Sequence, residues 1–276
     1  MTVQSIARTP AGAPAAGSPA PFLQLDDIGI SYDSRTAVER IDLTVGESEF
    51  VSVIGPSGCG KSTLLHVLSG LNTPQRGSVR LRSADITSEV GAHLRAGYVF
   101  QDHRLLPWRT VTQNIEIAMK AAGVPKVEWA QRIQRYLTLL HVADHAQAWP
   151  MSLSGGQRQR VSIARALAVD PDMVLMDEPF SGLDEVTGRT IRVQLDALRV
   201  TSRTPTIFVT HSIREALYLS DRVLVLSRGP ARVLREVVVP LERPRTYGDP
   251  RLAELEATLI EQVLDDWEIE TPAAGS

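Results

Sequence analysis

Residues 49–70 read EFVSVIGPSGCGKSTLLHVLSG. Glu49 to Ile54 is a short, mostly apolar run of the kind that suits a buried strand of a parallel sheet. Gly55-Pro56-Ser57-Gly58-Cys59-Gly60-Lys61-Ser62 follows and matches the pattern G-x-x-x-x-G-K-[ST]. Ser62 to Ser69 then reads as a helix, ended by Gly70. A strand, a glycine-rich loop and a helix form the context in which that pattern binds phosphate. The glycines let the chain turn tightly, so that successive N–H groups face an anion, and the helix adds its positive end. Lys61 reaches the β and γ phosphates, and the Ser62 hydroxyl can hold Mg²⁺. The ligand class is a nucleoside triphosphate. Cys59 reads as a small residue in a tight loop.

Outward from this loop, residues 22–32 (FLQLDDIGISY) and 41–45 (IDLTV) read as strands with short turns between them. Val79 to Arg82 and Gly97 to Phe100 are further strand candidates. Residues 128–142 carry Trp129, Ile133, Tyr136, Leu137 and Leu140 at three-and-four spacing, which predicts an amphipathic helix. Met173 to Met176, Thr206 to Val209 and Arg222 to Leu226 are short apolar runs that suit buried parallel strands. Alternating strands and helices predict an α/β core, with a mostly helical stretch inserted between about 102 and 165. Asp249 to Asp266 predicts a last helix, with Asp249 as N-cap and Pro250 at the first position. Its apolar stripe is Leu252, Leu255, Leu259, Ile260 and Val263. Residues 1–20 are rich in Ala, Pro, Gly and Ser from Thr9 onward and predict a disordered tail.

Composition narrows the class. The chain has 276 residues, 29 Lys and Arg against 32 Asp and Glu, and a net charge of −3. That balance argues against a dedicated nucleic-acid binder, which is usually basic. The single cysteine excludes an internal disulfide and a cysteine-based zinc site. No apolar run approaches the ~18 residues that span a bilayer, so service to a membrane would go through a partner.

Two later motifs bear on the chemistry. Met173-Val174-Leu175-Met176-Asp177-Glu178 is an apolar run ending in two acids. Such a strand delivers its carboxylates to the carboxyl edge of a parallel sheet, where ligands bind. Asp177 would hold Mg²⁺ and Glu178 would polarise the attacking water. Leu153-Ser154-Gly155-Gly156-Gln157 opens a helix predicted over Arg158 to Val169. A helix start with a serine and two glycines is a second anion site. One chain therefore carries two phosphate-binding helix starts.

The loop at 55–62, LSGGQ at 153–157 and the apolar-Asp-Glu strand at 173–178, in that order, resemble the ATP-binding cassette (ABC) family. Four smaller elements agree. Tyr32 matches the family's aromatic under adenine, and Gln101 matches its Q-loop. Ser181-Gly182-Leu183-Asp184 matches the D-loop, and His211 matches the switch histidine. The resemblance covers about 22–240. It implies an α/β P-loop NTPase of the ABC ATPase type, with an antiparallel β-subdomain and an inserted helical subdomain.

It further implies a head-to-tail homodimer, with ATP between the phosphate loop of one subunit and LSGGQ of the other. Ser154, Gly155 and Gly156 would clasp the γ-phosphate in trans. Thr63, Gln157 and Asp184 join the implied nucleotide-binding set beside Tyr32 and residues 55–62. Glu178 is implied as general base. His211 would bridge the γ-phosphate and Glu178, Lys61 would hold the phosphates, and Gln101 would touch Mg²⁺ or water beside Ser62 and Asp177.

Leu105-Leu106-Pro107-Trp108-Arg109-Thr110-Val111 looks like the importer subfamily for nitrate, taurine and aliphatic sulfonates. Asp177-Glu178-Pro179-Phe180 and the Arg-Pro-Arg of 243–245 resemble it as well. Leu105, Leu106 and Trp108 would then be exposed residues that receive a helix of a membrane permease. A periplasmic or lipid-anchored solute-binding protein would supply the solute, and the chain would sit at the cytoplasmic face of the inner membrane. The implied layout is a tail over 1–20, an ATPase domain over 21–245 and a helical extension over 246–276. Ser212 departs from the Asp that often follows the switch histidine, and Ser181-Gly182 departs from Gly-Ala. The alternatives are the ATPase of another ABC importer or of an exporter, or an ABC ATPase without transport. The short distance from Gln101 to Ser154 leaves no room for the long coiled coil that the last of these usually carries.

Overall fold

The computed structural model describes residues 21–33 and 35–269, so the tail expected over 1–20 lies outside the described residues. In chain order the elements begin with β1 (Leu23–Tyr32), β2 (Arg35–Val45), β3 (Phe50–Ile54), α1 (Lys61–Leu68), β4 (Arg76–Leu81) and β5 (Ala84–Asp85). Next come α2 (Val90–His93), β6 (Ala96–Val99), α3 (Val111–Ala121), α4 (Trp129–Leu139), α5 (Gly155–Ala168) and β7 (Met173–Asp177). The last are α6 (Glu185–Ser202), β8 (Thr206–Val209), α7 (Ile213–Leu219), β9 (Arg222–Leu226), β10 (Ala231–Val238) and α8 (Pro250–Ile269). Two compact units divide the chain. The first runs up to His93 and resumes at Ile207; the second is Leu94–Thr206.

In the first unit the strands run β5-β4-β1-β2-β10-β9-β3-β8. β1 is antiparallel to both β2 and β4, while β3 is parallel to β9. All five residues of β3 are buried, as its mostly apolar run suggests. β1 shows why a simple alternation fails. Its buried residues Leu23, Leu25, Ile28 and Ile30 change parity after Leu25. Pairing with β2 shifts between Leu25 and Ile28, and Asp27 takes a left-handed backbone with φ 51°. This is a bulge, and it returns both halves of the strand to one core. At the other end of the unit, Trp267 Nε1 of α8 donates to the Leu226 carbonyl at 3.0 Å. Arg235 of β10 grips Asp266 of α8 at 2.9 and 3.1 Å.

In the second unit β6 and β7 are parallel, Ala96 facing Met173 and Val99 facing Met176. α5 packs against α3, α4, α6 and β6 and buries Val161, Ile163, Ala164 and Leu167. The stripe expected on α4 is buried at Ile133, Tyr136, Leu137 and Leu140. The helix stops at Leu139 rather than 142 because His141 turns left-handed, with φ 54°.

Several expected boundaries move. β2 begins at Arg35 rather than 41, because only Val38 is buried in its first half and no apolar pattern marks it. β4 begins at Arg76. α5 begins at Gly155, not Arg158, with Ser154 as its N-cap. On α8, Leu252, Leu259 and Val263 are buried while Ile260 is exposed. At ~100° per residue Ile260 lies about 80° off the axis that the other three share. Among the described residues no helix is long and apolar enough to cross a membrane.

Candidate active site

The first unit holds the phosphate loop. β3 ends in the buried Ile54, and the loop crosses to α1 through Gly60, whose backbone is left-handed with φ 119°. A Cβ at Gly60 would stand 2.7 Å from the Ala37 carbonyl oxygen, so only glycine fits. Gly60 occupies the N-cap position and brings no side-chain cap. No side-chain cap takes the Ser62 and Thr63 N–H groups of the first turn, which suits them to meet an anion. Lys61 is buried, and its ammonium donates to the carbonyls of Gly55 at 2.8 Å and Pro56 at 2.9 Å. The loop thus holds its own cation in place ahead of any ligand. Ser57 and Gly58 are exposed, Ser62 presents an exposed hydroxyl in the first turn, and Thr63 is half-buried. The Cys59 thiol is buried, and burial pushes its pKa up, so this residue contributes backbone rather than chemistry.

Two further expected residues lie in this unit. Tyr32 is 46% exposed at the end of β1, and its hydroxyl accepts from Asn72 Nδ2. His211 is exposed one residue after Thr210. Its neighbours are fixed: Thr210 donates to Glu215 Oε2 at 2.6 Å, and the Ser212 N–H donates to Thr210 Oγ1 at 3.1 Å. Ser212 is the N-cap of α7 and accepts from the Glu215 N–H at 3.3 Å. Ser and Asp are both good N-caps, so the departure at Ser212 preserves the chemistry of the position.

The second unit holds the carboxylates. β7 ends at the buried Asp177, whose Oδ2 faces the Tyr98 hydroxyl at 3.5 Å. Burial, then the Asp177 charge, raise the Tyr98 pKa, which keeps the phenol protonated. Glu178 is half-buried and left-handed, with φ 43°. A non-glycine residue held there stores strain of about 1–3 kcal/mol, a state that clusters at functional sites. The exposed Gln101 donates from Nε2 to Ser181 Oγ at 3.3 Å, which ties its loop to the turn before α6. Asp184 caps α6 and accepts from the Thr187 N–H at 2.9 Å. That backbone hydrogen bond, seconded by the Thr187 side chain, holds its carboxyl below the usual range.

The second expected anion site falls at the start of α5. Ser154 Oγ accepts from the Gln157 N–H at 3.2 Å, and Gln157 Oε1 accepts from the Ser154 N–H at 2.8 Å. This reciprocal capping box leaves the Gly155 and Gly156 N–H groups as the first-turn donors without a protein partner among the described residues. Gln157 lies against His145 Nε2 at 2.8 Å through its own Nε2. The Gln157 side chain is therefore engaged within the fold. Gly156 is required by packing as well, since a Cβ there would stand 2.3 Å from Thr187 Cγ2. At Gly155 a Cβ would meet only Leu183, at 3.7 Å.

The segment after Gln101 differs from expectation in part. Trp108 is 65% exposed, while Leu105 and Leu106 are half-buried. Asn114, buried in α3, braces this turn. Its Oδ1 accepts from the Leu106 N–H at 2.7 Å, and its Nδ2 donates to the carbonyls of Leu106, Arg109 and Thr110 at 3.2, 3.1 and 3.0 Å. Sequence reasoning missed Asn114, Tyr98 and His145. Tyr98 and His145 act through Asp177 and Gln157, which lie further along the chain, Asn114 acts on the turn just before it, and no local motif marks any of the three.

Among the described residues no cluster of three or more His, Cys, Asp or Glu gathers. The Ser62 hydroxyl in the first unit and the Asp177 carboxylate in the second are each hard oxygen donors, the type that suits Mg²⁺, which is bound by few protein oxygens plus substrate phosphates.

Comparison with known proteins agrees with this geometry. The sequence model of the ABC transporter family matches residues 38–181. An aliphatic sulfonates import ATP-binding protein of Burkholderia lata is 42% identical over 264 residues, 95% of this chain and 94% of that one. An uncharacterised ABC transporter ATP-binding protein of Methanocaldococcus jannaschii is 40% identical over 230 residues, 83% and 85% of the two chains. Among solved structures, a dimeric ATP-binding cassette in a post-hydrolysis state bound to ADP and Pi is 31% identical. Its TM-score is 0.70, over 80% of this chain and 100% of that one.

Proposed function

Since the chain belongs to the ABC transporter family and is an ATP hydrolase of that class, we propose that it is the ATPase subunit of an importer. The solute is a small anion of the nitrate, taurine or aliphatic sulfonate type, carried by a separate permease. The observation that carries the reading is the pairing in one chain of two anion sites. One is a phosphate loop with Lys61 held by Gly55 and Pro56. The other is a capped helix start with two open glycine N–H groups. Each of two copies would give half of two ATP sites. The layout is a tail over 1–20, an ATPase domain over 21–245 and a helical extension over 246–276.

In this mechanism Lys61 and the open N–H groups of α1 hold the β and γ phosphates, and Tyr32 lies under the base. The Ser154 hydroxyl and the Gly155 and Gly156 N–H groups of the second copy clasp the γ-phosphate, which supplies most of what phosphoryl transfer asks of a protein. Glu178 takes the proton of the attacking water. His211 steadies the γ-phosphate and Glu178. Ser62, Asp177 and Gln101 are the residues that would hold Mg²⁺, and when bound the ion neutralises phosphate charge. Trp108, on a turn that Asn114 stiffens, faces the permease, which keeps the chain at the cytoplasmic face of the inner membrane. A solute-binding protein hands the solute to the permease.

The test is genetic. Deleting this chain should abolish growth with an aliphatic sulfonate or taurine as the sulfur source, or with nitrate as the nitrogen source. Growth on all of them would reject the solute class. Loss of growth restored by wild type and not by Lys61→Ala would establish the ATP-driven role.

A further inference from the structure

The Arg-Pro-Arg run at 243–245 takes no part in the proposed chemistry, yet it is tied to the helix that follows His211. α7 has seven residues, too few to be stable alone, and its last carbonyls have no partner inside the helix. Four consecutive carbonyls there accept from two guanidinium groups. Arg245 Nη1 donates to Leu217 at 2.8 Å, Tyr218 at 3.1 Å and Ser220 at 2.6 Å. Arg243 Nη2 donates to Leu219. Arg245 is itself buried, and it is anchored through Nε and Nη2 on the Leu241 carbonyl at 3.1 and 2.9 Å. Two cations thus sit against the negative end of the helix.

The other end is held from the same segment. Arg214, in the first turn of α7, donates to Glu256 Oε2 of α8 at 2.8 Å and to the Tyr247 carbonyl at 2.8 Å. Its guanidinium lies 4.8 Å from the centre of the Tyr247 ring, and Tyr247 packs edge-on against Tyr218 of α7 at 5.1 Å. We propose that the arm from Leu241 to Glu256 positions the switch histidine. Arg243 and Arg245 grip the end of α7, Arg214 and Glu256 fix its start, and together they set where His211 stands. These four are positioning residues and touch no substrate. The inference rests on the role given to His211 above.

The test is steady-state ATP hydrolysis by the full chain, measured with the melting temperature of each variant. Arg214→Met and Glu256→Gln should each lower kcat about five- to tenfold and leave KM for ATP within about twofold, with little change in melting temperature. The exchange Arg214→Glu with Glu256→Arg should recover part of the lost kcat. Arg245→Lys keeps the charge and loses the fork, and it should move kcat the same way. An unchanged kcat in Arg214→Met and Glu256→Gln overturns the proposal. So does a loss of kcat that comes with an equal loss of KM or stability, or one that the exchange does not repair. His211→Ala separates the two levels. If it hydrolyses ATP normally, the reading of His211 itself fails. If it is inactive while the arm variants are normal, only the arm proposal fails.

Discussion

The Asn114 carboxamide receives the Leu106 N–H at 2.7 Å and returns a hydrogen bond to the Leu106 carbonyl at 3.2 Å. A side chain that is 2% exposed thereby does for this turn what a strand partner does for an extended segment. Two substitutions separate bracing from docking. Asn114→Leu takes the partner from the Leu106 N–H and the Arg109 carbonyl, while the Leu106 and Thr110 carbonyls keep the backbone donors Arg109 and Asn114; at about 1–3 kcal/mol for a buried polar group left unpaired, it should lower the melting temperature by several degrees. Trp108→Ala removes an exposed ring and should leave melting and ATP binding unchanged while cutting uptake in the assembled transporter. A large fall in melting for Trp108→Ala would place the ring in the core; normal uptake would reject docking.

Glu178→Gln keeps the size of the side chain and removes its basicity. ATP should still bind, and hydrolysis should fall by roughly 10²–10⁴, the usual worth of a general base. Asp177→Asn should instead weaken nucleotide binding that depends on Mg²⁺. Titrating Mg²⁺ against a fluorescent nucleotide distinguishes the two, and normal turnover in Glu178→Gln would remove that residue from the chemistry.

Composite sites can be tested by mixing subunits. Gly156→Asp would confuse the result, because its Cβ collides with Thr187. Gly155→Asp has room and places a negative charge where phosphate should lie. A mixture of Lys61→Ala and Gly155→Asp subunits should regain part of the ATPase activity that each lacks alone. No recovery would put both halves of each site within one chain.

The Cys59 thiol, buried and with its pKa raised by burial, should resist alkylation at pH 7 to 8 in the folded chain and react once the chain is unfolded, because the thiolate is the nucleophile. The rate of labelling at this single cysteine then reports opening of the phosphate loop. Fast labelling of the folded protein would contradict the burial of this thiol.

Much of the fold was legible where one strong local rule operates. The phosphate loop was read residue by residue because strand, glycines and helix cap are contiguous. β3, β8 and β9 were read because strands covered on both faces have apolar runs. β10 was not, since only Ala231 and Val237 of its eight residues are buried and neither alternation nor a continuous run marks it. α7 is short, and its last carbonyls accept from Arg243 and Arg245, more than twenty residues later in the chain. At the site, the motifs name candidate residues, while their hydrogen-bond partners are not legible in the sequence. Gln157 reads as part of a ligand motif, yet its side chain closes the cap on Ser154. Ile260 joins an apolar stripe on paper, and the pitch of the helix turns it outward.

The contact between Gly156 and Thr187 has a mechanical consequence. The first turn of α5 bears directly on the first turn of α6, with no space for even one methyl group between them. Asp184 caps the second of these turns and Ser154 the first. Glycine at 156 is thus what lets the two helix starts approach this closely, and a larger residue there would force the Thr187 side chain, and with it the first turn of α6, to give way.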